Sequence, residues 1–371
     1  SKNICIPTLI FLSHVGAKSD MTPKERALAA LYLEESDVVP IFEAWTSQLI
    51  VEHMLGREYR NVFDLIDFCK KLQLDFIDVS NTSPRNFKPT YLQENIYVDE
   101  FGRIFEFRSD TKTDWYKGPW FKDIESYLDF EYPDPLSMGR FDNIELAVRE
   151  AGECYAVAGE IDWGIFERSW TPIGMERFLK AIYTQPSAVR KIIDRSLKFN
   201  LELAKSIADT GVDVVLSGDD LADNHGPFLS PSVFKDFFFE PLKNLVQSVR
   251  KRGVPLILHT DGNIYPILSL LIDAGIDALH PLQPQVIDIR NFKETYGNRI
   301  CLMGNVDIST VLPFGTPQDV GKAVRTCIQA AGPGGGYILS SSNSLHEAIP
   351  LDNVISMVEA AKKFGRHPIN G

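Results

Sequence analysis

Eight short apolar runs, each closed by a polar residue, constrain this chain more than any other feature. They are VVPIFEAW (38–45), LDFIDVSN (74–81), YAVAGEIDWG (155–164), VDVVLSGDD (212–220), PLILHTDGN (255–263), DALHPLQP (277–284), ICLMGNVD (300–307) and GYILSSSN (336–343). Between most of them lie helical stretches such as SAVRKIIDRSLKFNLELAKSIADTG, YPILSLLIDAG and PQDVGKAVRTCIQAAG, several ending in the glycine that a helix C-terminus favours. Runs that are apolar throughout, rather than at alternate positions, need cover on both faces, which means parallel strands beneath helices. Eight such units in about 300 residues predict an α/β fold of the (β/α)8 TIM barrel type.

Two segments fall outside that grammar. MTPKERALAALYLEE predicts an N-terminal helical extension, with Thr22 as N-cap, Pro23 at the first helical position and Glu25 completing a capping box. NIYVDEFGRIFEFRSDTKTDWYKGPW, between the second and third runs, alternates around DEFGR and predicts a β-hairpin insertion near the barrel mouth. No Gly/Ser-rich linker interrupts the remainder, so residues 21–371 are expected to form a single barrel domain. Residues 1–20 are a leader of uncertain origin: IPTLIFL follows Lys2, but no small-residue cleavage pattern follows it.

Charge and cysteine usage narrow the partners. Fifty acidic residues against 38 basic ones give a formal net charge of -12, which repels nucleic acid and anionic membrane surfaces. No apolar run reaches the roughly 18 residues of a membrane-spanning helix. The cysteines, Cys5, Cys69, Cys154, Cys301 and Cys327, are odd in number and never form a CxxC pair. That pattern predicts free thiols in a reducing cytoplasm rather than a disulfide framework or a cysteine-rich zinc site.

In a (β/α)8 barrel the chemistry sits at the C-terminal ends of the strands. Those ends carry Glu43, Asp78, Asn81, Glu160, Asp162, Asp219, Asp220, His259, Asp261, Asn263, His280, Gln283, Asn305, Asp307 and Asn343. In HTDGN, His259 and Asp261 stand at positions i and i+2 and project to one side, with Gly262 allowing the chain to turn. The pair suits two ligands to one zinc ion, a histidine oriented for acid/base work, or simply the hydrogen-bonded end of a buried strand. In SGDDLADNHG, adjacent acids repel, so one can hold a proton for donation while Asp219 or Asp223 caps the following helix. The candidate catalytic residues are therefore Asp220, His259 and Asp261, with His259 and Asp261 also the candidate metal ligands. Glu160, Asn263, Gln283, Asn305, Asp307 and Asn343 are the candidate substrate-binding residues. AGPGGGY precedes a strand rather than a helix and reads as a turn at the far end of the barrel, not a phosphate loop. The chain contains neither GxSxG nor HExxH, which removes the α/β-hydrolase and zincin readings.

LILHTDGNIYPILSLLIDAGIDALHPLQP, GNRICLMGNVDISTVLPFGTPQDV and GPGGGYILSSSNSLHEAIPLDNV resemble the C-terminal half of the uroporphyrinogen decarboxylase superfamily. The resemblance runs from about residue 21 to residue 365 and is strongest from 211 onward. It implies a (β/α)8 barrel and one of two activities, porphyrinogen decarboxylation or corrinoid-dependent methyl transfer. The decarboxylases carry an arginine-bearing signature for substrate carboxylates, whereas VVPIFEAWTSQLIVEHMLG has none and presents Glu43. The methyltransferase branch is the better match.

Many of its members hold zinc with an HxC pair and a cysteine ending the last strand, to activate a thiol acceptor. Here the pair is His259 and Asp261 and the last position falls near Asn343, which implies either a harder N/O metal site or a metal-free acid/base site. The expected reaction moves a methyl group between a small O- or N-methylated substrate, such as an aryl methyl ether or a methylamine, and the cobalt of a corrinoid protein. The corrinoid is expected on a partner protein, since no DxHxxG-type motif occurs. A homodimer is the candidate assembly, and a non-catalytic corrinoid or tetrapyrrole binder is the alternative outside enzymology.

Overall fold

Runs such as Ala156–Ala158 and Val214–Leu216 can pair only where both faces are covered. In the computed structural model, which describes residues 20–369, seven of the eight predicted runs pair in one parallel sheet. Its strands are Phe76–Ser80, Ala156–Ile161, Val214–Gly218, Leu256–His259, Ala278–His280, Cys301–Val306 and Tyr337–Ser341, lying side by side in chain order. Helices connect successive strands, as the alternation required. Asp142–Ala151 leads into the second strand, Pro186–Asp209 into the third, Phe239–Arg250 into the fourth, Leu268–Ala274 into the fifth and Pro317–Ala331 into the seventh. The proposed leader, residues 1–20, lies outside the described residues apart from Asp20.

Among the described residues the sheet has seven regular strands, one fewer than a full barrel. The first predicted run, 38–45, makes isolated parallel bridges from Ile41 to Leu339 and from Ala44 to Ser344. Its backbone lies between the sheet's edges. On one side the Phe42 N–H donates to Leu339 O (2.9 Å) and the Leu339 N–H to Pro40 O (2.9 Å); on the other the Asp75 N–H donates to Ile41 O (3.0 Å). Pro40 has no N–H to give to a ladder, and Trp45 turns away with φ 44°, so the run cannot continue as a strand.

Alternation along the strands sorts the core into two layers. Phe76, Ala156, Ala158, Val214, Leu216, Ile257, Ala278, Cys301, Met303 and Ile338 fill the inner face together with Phe42. Ile77, Val79, Val157, Val215, Leu256, Leu258, Leu279, Leu302 and Leu339 pack outward against the helices. The opening helix Pro23–Leu31 has the expected Thr22–Glu25 capping box, and its Ala27, Ala30 and Leu31 join the inner layer.

The insertion is larger than a hairpin. It is a four-stranded antiparallel sheet of Thr90–Gln93, Ile96–Val98, Arg103–Arg108 and Thr113–Pro119, with the predicted hairpin at its centre. The Arg103 guanidinium lies 4.4 Å from the Trp163 ring, which docks the insertion beside the end of the second strand. The cysteine expectation also needs correction: Cys69, Cys301 and Cys327 are free and buried, but Cys154 is disulfide-bonded.

Candidate functional site

Strand register decides which polar side chains meet. His259 and His280 are register partners at the ends of adjacent strands, and both continue the inner-facing parity of Ile257 and Ala278. Asp78 and Glu160 continue the same parity above Phe76 and Ala158. A polar layer of Asp78, Glu160, His259 and His280 therefore caps the apolar interior at the end where the strands finish.

The tightest cluster lies just above that layer. Single ligand atoms of Asp220, His259 and Asp261 fall within 4.8 Å of one another, the one such group of three among the described residues. Asp220 Oδ1 accepts the Asp261 N–H (3.1 Å) and lies 4.0 Å from His259 Nε2. Asn343 donates its side-chain amide to Asp261 Oδ2, while Asp261 Oδ1 is buried with no partner. Gly262 has φ 83°, and a side chain there would meet Asp223 O at 2.5 Å, so only glycine fits the turn that presents Asp261. Gln283 fastens the same turn by accepting the Gly262 N–H (2.9 Å) and donating to Asn224 (2.8 Å).

Burial sets the protonation states. His259 is pushed down to about 3 by desolvation, so its imidazole is neutral around neutral pH. His280 is also held well below its ordinary range, by burial and then by His259. Asp261 is raised to about 7 by burial and then by the neighbouring Asp220 carboxylate, against the Asn343 hydrogen bond. Asp220 is raised by burial too, although 43% of its side chain is exposed and water limits the effect. Glu160 rises well above its ordinary value through burial and then through Asp78 and Asp162, and Ser80 donates to its Oε2.

The other candidates divide. Asp219 is a cap rather than a mouth residue, accepting the N–H groups of Phe166 (3.0 Å) and Glu167 (2.9 Å) at the start of the helix Ile165–Trp170. That helix precedes Asp219 in the chain; the expected cap on a following helix is not made by this residue. Asp223 accepts from the N–H groups of His225 and Gly226 and closes a turn. Asn263 accepts the Tyr265 N–H (3.3 Å), and Asp307 accepts from Gln285 (2.8 Å) and the Ser309 N–H (2.7 Å), so both serve local turns. Asn305 does not join the cluster: its Oδ1 accepts from Cys327 Sγ (3.3 Å) on the helix Pro317–Ala331. Glu43, expected at the mouth, has the outward parity of Ile41 and accepts both the Ser341 N–H (2.7 Å) and Ser341 Oγ–H (2.6 Å).

Sequence reasoning gave no role to two neighbours of His259. His280 meets it Nδ1 to Nδ1 at 2.7 Å, and Trp45 packs edge-to-face on it with ring centroids 4.3 Å apart. His280 was visible as a strand-end residue, and the register of its strand is what reveals its partner. Nothing local marks Trp45.

One histidine nitrogen and two carboxylates form a donor set suited to a divalent cation that accepts nitrogen and oxygen. The unpartnered Asp261 Oδ1 and the 4.0 Å gap from His259 Nε2 to Asp220 both fit that use. The gap exceeds a hydrogen bond, whereas two ligands of one zinc ion sit roughly 3.4 Å apart, a small rotation of Asp220 away.

Comparison with known proteins bears on the family and the fold. The family model described as uroporphyrinogen decarboxylase (URO-D) matches residues 170–364. A uroporphyrinogen decarboxylase of Coxiella burnetii is 26% identical over 196 residues, covering 51% of this chain and 52% of that protein. The methylcobamide:CoM methyltransferase MtbA of Methanosarcina mazei is 26% identical over 183 residues, covering 49% of this chain and 51% of that protein. The chain thus spans about half the length of the curated relatives it matches. The solved structure of a methyltransferase from Methanosarcina mazei superposes with a TM-score of 0.74 at 22% identity, over 93% of this chain and 99% of that one, a likeness of fold.

Proposed function

This chain belongs to the uroporphyrinogen decarboxylase family, and from that premise we propose that it is a corrinoid-dependent methyltransferase. It moves a methyl group between a small O- or N-methylated substrate and the cobalt of a corrinoid carried by a partner protein. The fold that serves it is one (β/α)8 domain over residues 21–371, in which the segment 38–45 acts as the eighth stave. The observation that carries the reading is the compact Asp220–His259–Asp261 cluster at the strand ends. The likeness to MtbA supports it.

In the demethylating direction a methyl ether and Co(I) give an alcohol and methyl-Co(III), with one proton taken up by the leaving oxygen. The chain must orient the methyl group in line with cobalt and stabilise the oxygen or nitrogen that departs. His259, Asp261 and Asp220 would hold zinc, which supplies a Lewis acid at that heteroatom. His259 contributes a neutral nitrogen, and Asn343 steadies Asp261 through its other carboxylate oxygen. Glu160, in the polar layer with His259, and Gln283, on the Gly262 turn, are the residues we assign to substrate, while Asn263 and Asp307 hold their local turns. Asn305 supports the sixth strand from the helix side.

Decarboxylation is the second reading, favoured by the relatives that bear that name. It requires cations to receive substrate carboxylates, whereas the inner layer presents Asp78 and Glu160 and the segment 38–56 has no arginine. The test is incubation with a Co(I) corrinoid protein and a panel of aryl methyl ethers and methylamines, followed by absorbance. Appearance of the methyl-Co(III) spectrum, lost in Asp261→Ala, is the expected result. No conversion across the panel, with coproporphyrinogen formed from uroporphyrinogen, would replace this reading with the second one.

A further inference from the structure

A neutral imidazole carries one N–H and one bare nitrogen, so His259 can offer a lone pair to a cation only if the proton sits on its other nitrogen. That other nitrogen, Nδ1, faces His280 Nδ1 at 2.7 Å, so one proton is shared between the two rings. The sheet imposes the arrangement: the residues are register partners, and the Thr260 N–H donates to His280 O (2.8 Å) just beyond them. Trp45 closes one side of the His259 ring, and His280 is fully buried.

The shared proton can sit in two ways. If His280 donates, His259 must carry Nε2–H, which aims at carboxylates without reaching Asp220 at 4.0 Å and leaves the buried Asp261 Oδ1 unanswered. If His259 donates, its Nε2 lone pair and the bare Asp261 oxygen turn toward one place, and a single cation satisfies both. The second arrangement puts a proton on His280 Nε2, which has no oxygen or nitrogen partner. The same buried Nε2 is a bare and equally unpartnered acceptor in the first arrangement, so neither arrangement satisfies it; the His280 ring packs against Phe42 with centroids 5.2 Å apart.

We propose that His280 is the positioning residue of the site, accepting the His259 Nδ1 proton and so holding the Nε2 lone pair open to a divalent cation between Asp220 and Asp261. The inference rests on the reading of that cluster as a cation site. It concerns how the cation is held and does not depend on which methylated substrate is used.

Cobalt(II) titration followed by visible absorbance tests it on the full chain with two variants. His280→Asn places an amide oxygen near the position of the lost Nδ1, whereas His280→Leu offers no acceptor. Loss of an outer hydrogen-bond partner weakens metal binding by about 10- to 100-fold, so His280→Leu should show that loss and His280→Asn should recover most of it. Parental affinity in a folded His280→Leu would overturn the inference while leaving the cation site standing. Absence of cobalt and zinc binding in the parent would overturn the cation site and the inference together. Nitrogen-15 NMR of histidine-labelled, zinc-loaded parent needs no variant: a proton on His259 Nδ1 is the expected signal, and one on His280 Nδ1 overturns the inference.

Discussion

Glu43→Gln tests how a buried acid ties the segment 38–45 to the last strand. Glu43 is 5% exposed, and its two oxygens accept the N–H and the hydroxyl of Ser341. Desolvation raises its pKa from 4.5 to about 8, with both Ser341 bonds opposing. The folded state therefore holds the Glu43 proton more tightly than the unfolded chain does, and stability contributed by that proton is lost as pH rises through the folded value. At 1.36 kcal/mol per unit, the full rise corresponds to on the order of 5 kcal/mol, of which about 3 kcal/mol falls between pH 6 and 9.

Glutamine keeps a carbonyl for the Ser341 N–H and an amide for its hydroxyl, and it never ionises. Urea unfolding of parent and variant at pH 6, 7.5 and 9, followed by circular dichroism, isolates this one group from the other buried acids. The variant should gain on the parent as pH rises, by about 3 kcal/mol over that interval. An equal pH slope in the two proteins would refute the claim that Glu43 is protonated in the fold. A variant less stable than the parent even at pH 9 would refute the claim that a neutral amide can take over its bonds.

Further substitutions test the buried packing. Arg140→Met should cost about 3–5 kcal/mol, because it strands Glu100, 7% exposed, without its cation; adding Glu100→Leu should restore most of that loss in urea unfolding. Ile257→Ala, in the inner layer directly below His259, should cost about 2–5 kcal/mol, while Phe314→Ala at an 81% exposed position should leave the urea midpoint unchanged.

Much of the molecule was legible along the chain. The capping box of Thr22 and Glu25 is local chemistry, so it was read correctly without a fold. Seven of the eight apolar runs became strands because burial on both faces leaves a mark on composition. The eighth failed for reasons also local, the missing N–H of Pro40 and the turn at Trp45, but the weight of its apolar residues hid them. At the site, His259 and Asp261 were found through their i, i+2 spacing, and Asp220 through its neighbour Asp219. Asn305 meets Cys327 on the helix side, although its spacing from Met303 predicts the inner face; Gly304 between them has φ 136°.

What the sequence determined by itself is the inventory: parallel strands under helices, an acid-rich and amide-rich set of strand ends, and a histidine–aspartate pair on one of them. Hydrophobic period and turn chemistry act between near neighbours, so they are written in the chain. Tertiary structure decided the partnerships. Register alone set His280 against His259, packing alone brought Trp45 onto that ring, and the loop after the third strand carried Asp220 to Asp261. These contacts join residues 21, 214 and 41 positions apart; no local pattern encodes such distances, because sheet pairing and side-chain packing exist only once the whole chain has closed on itself.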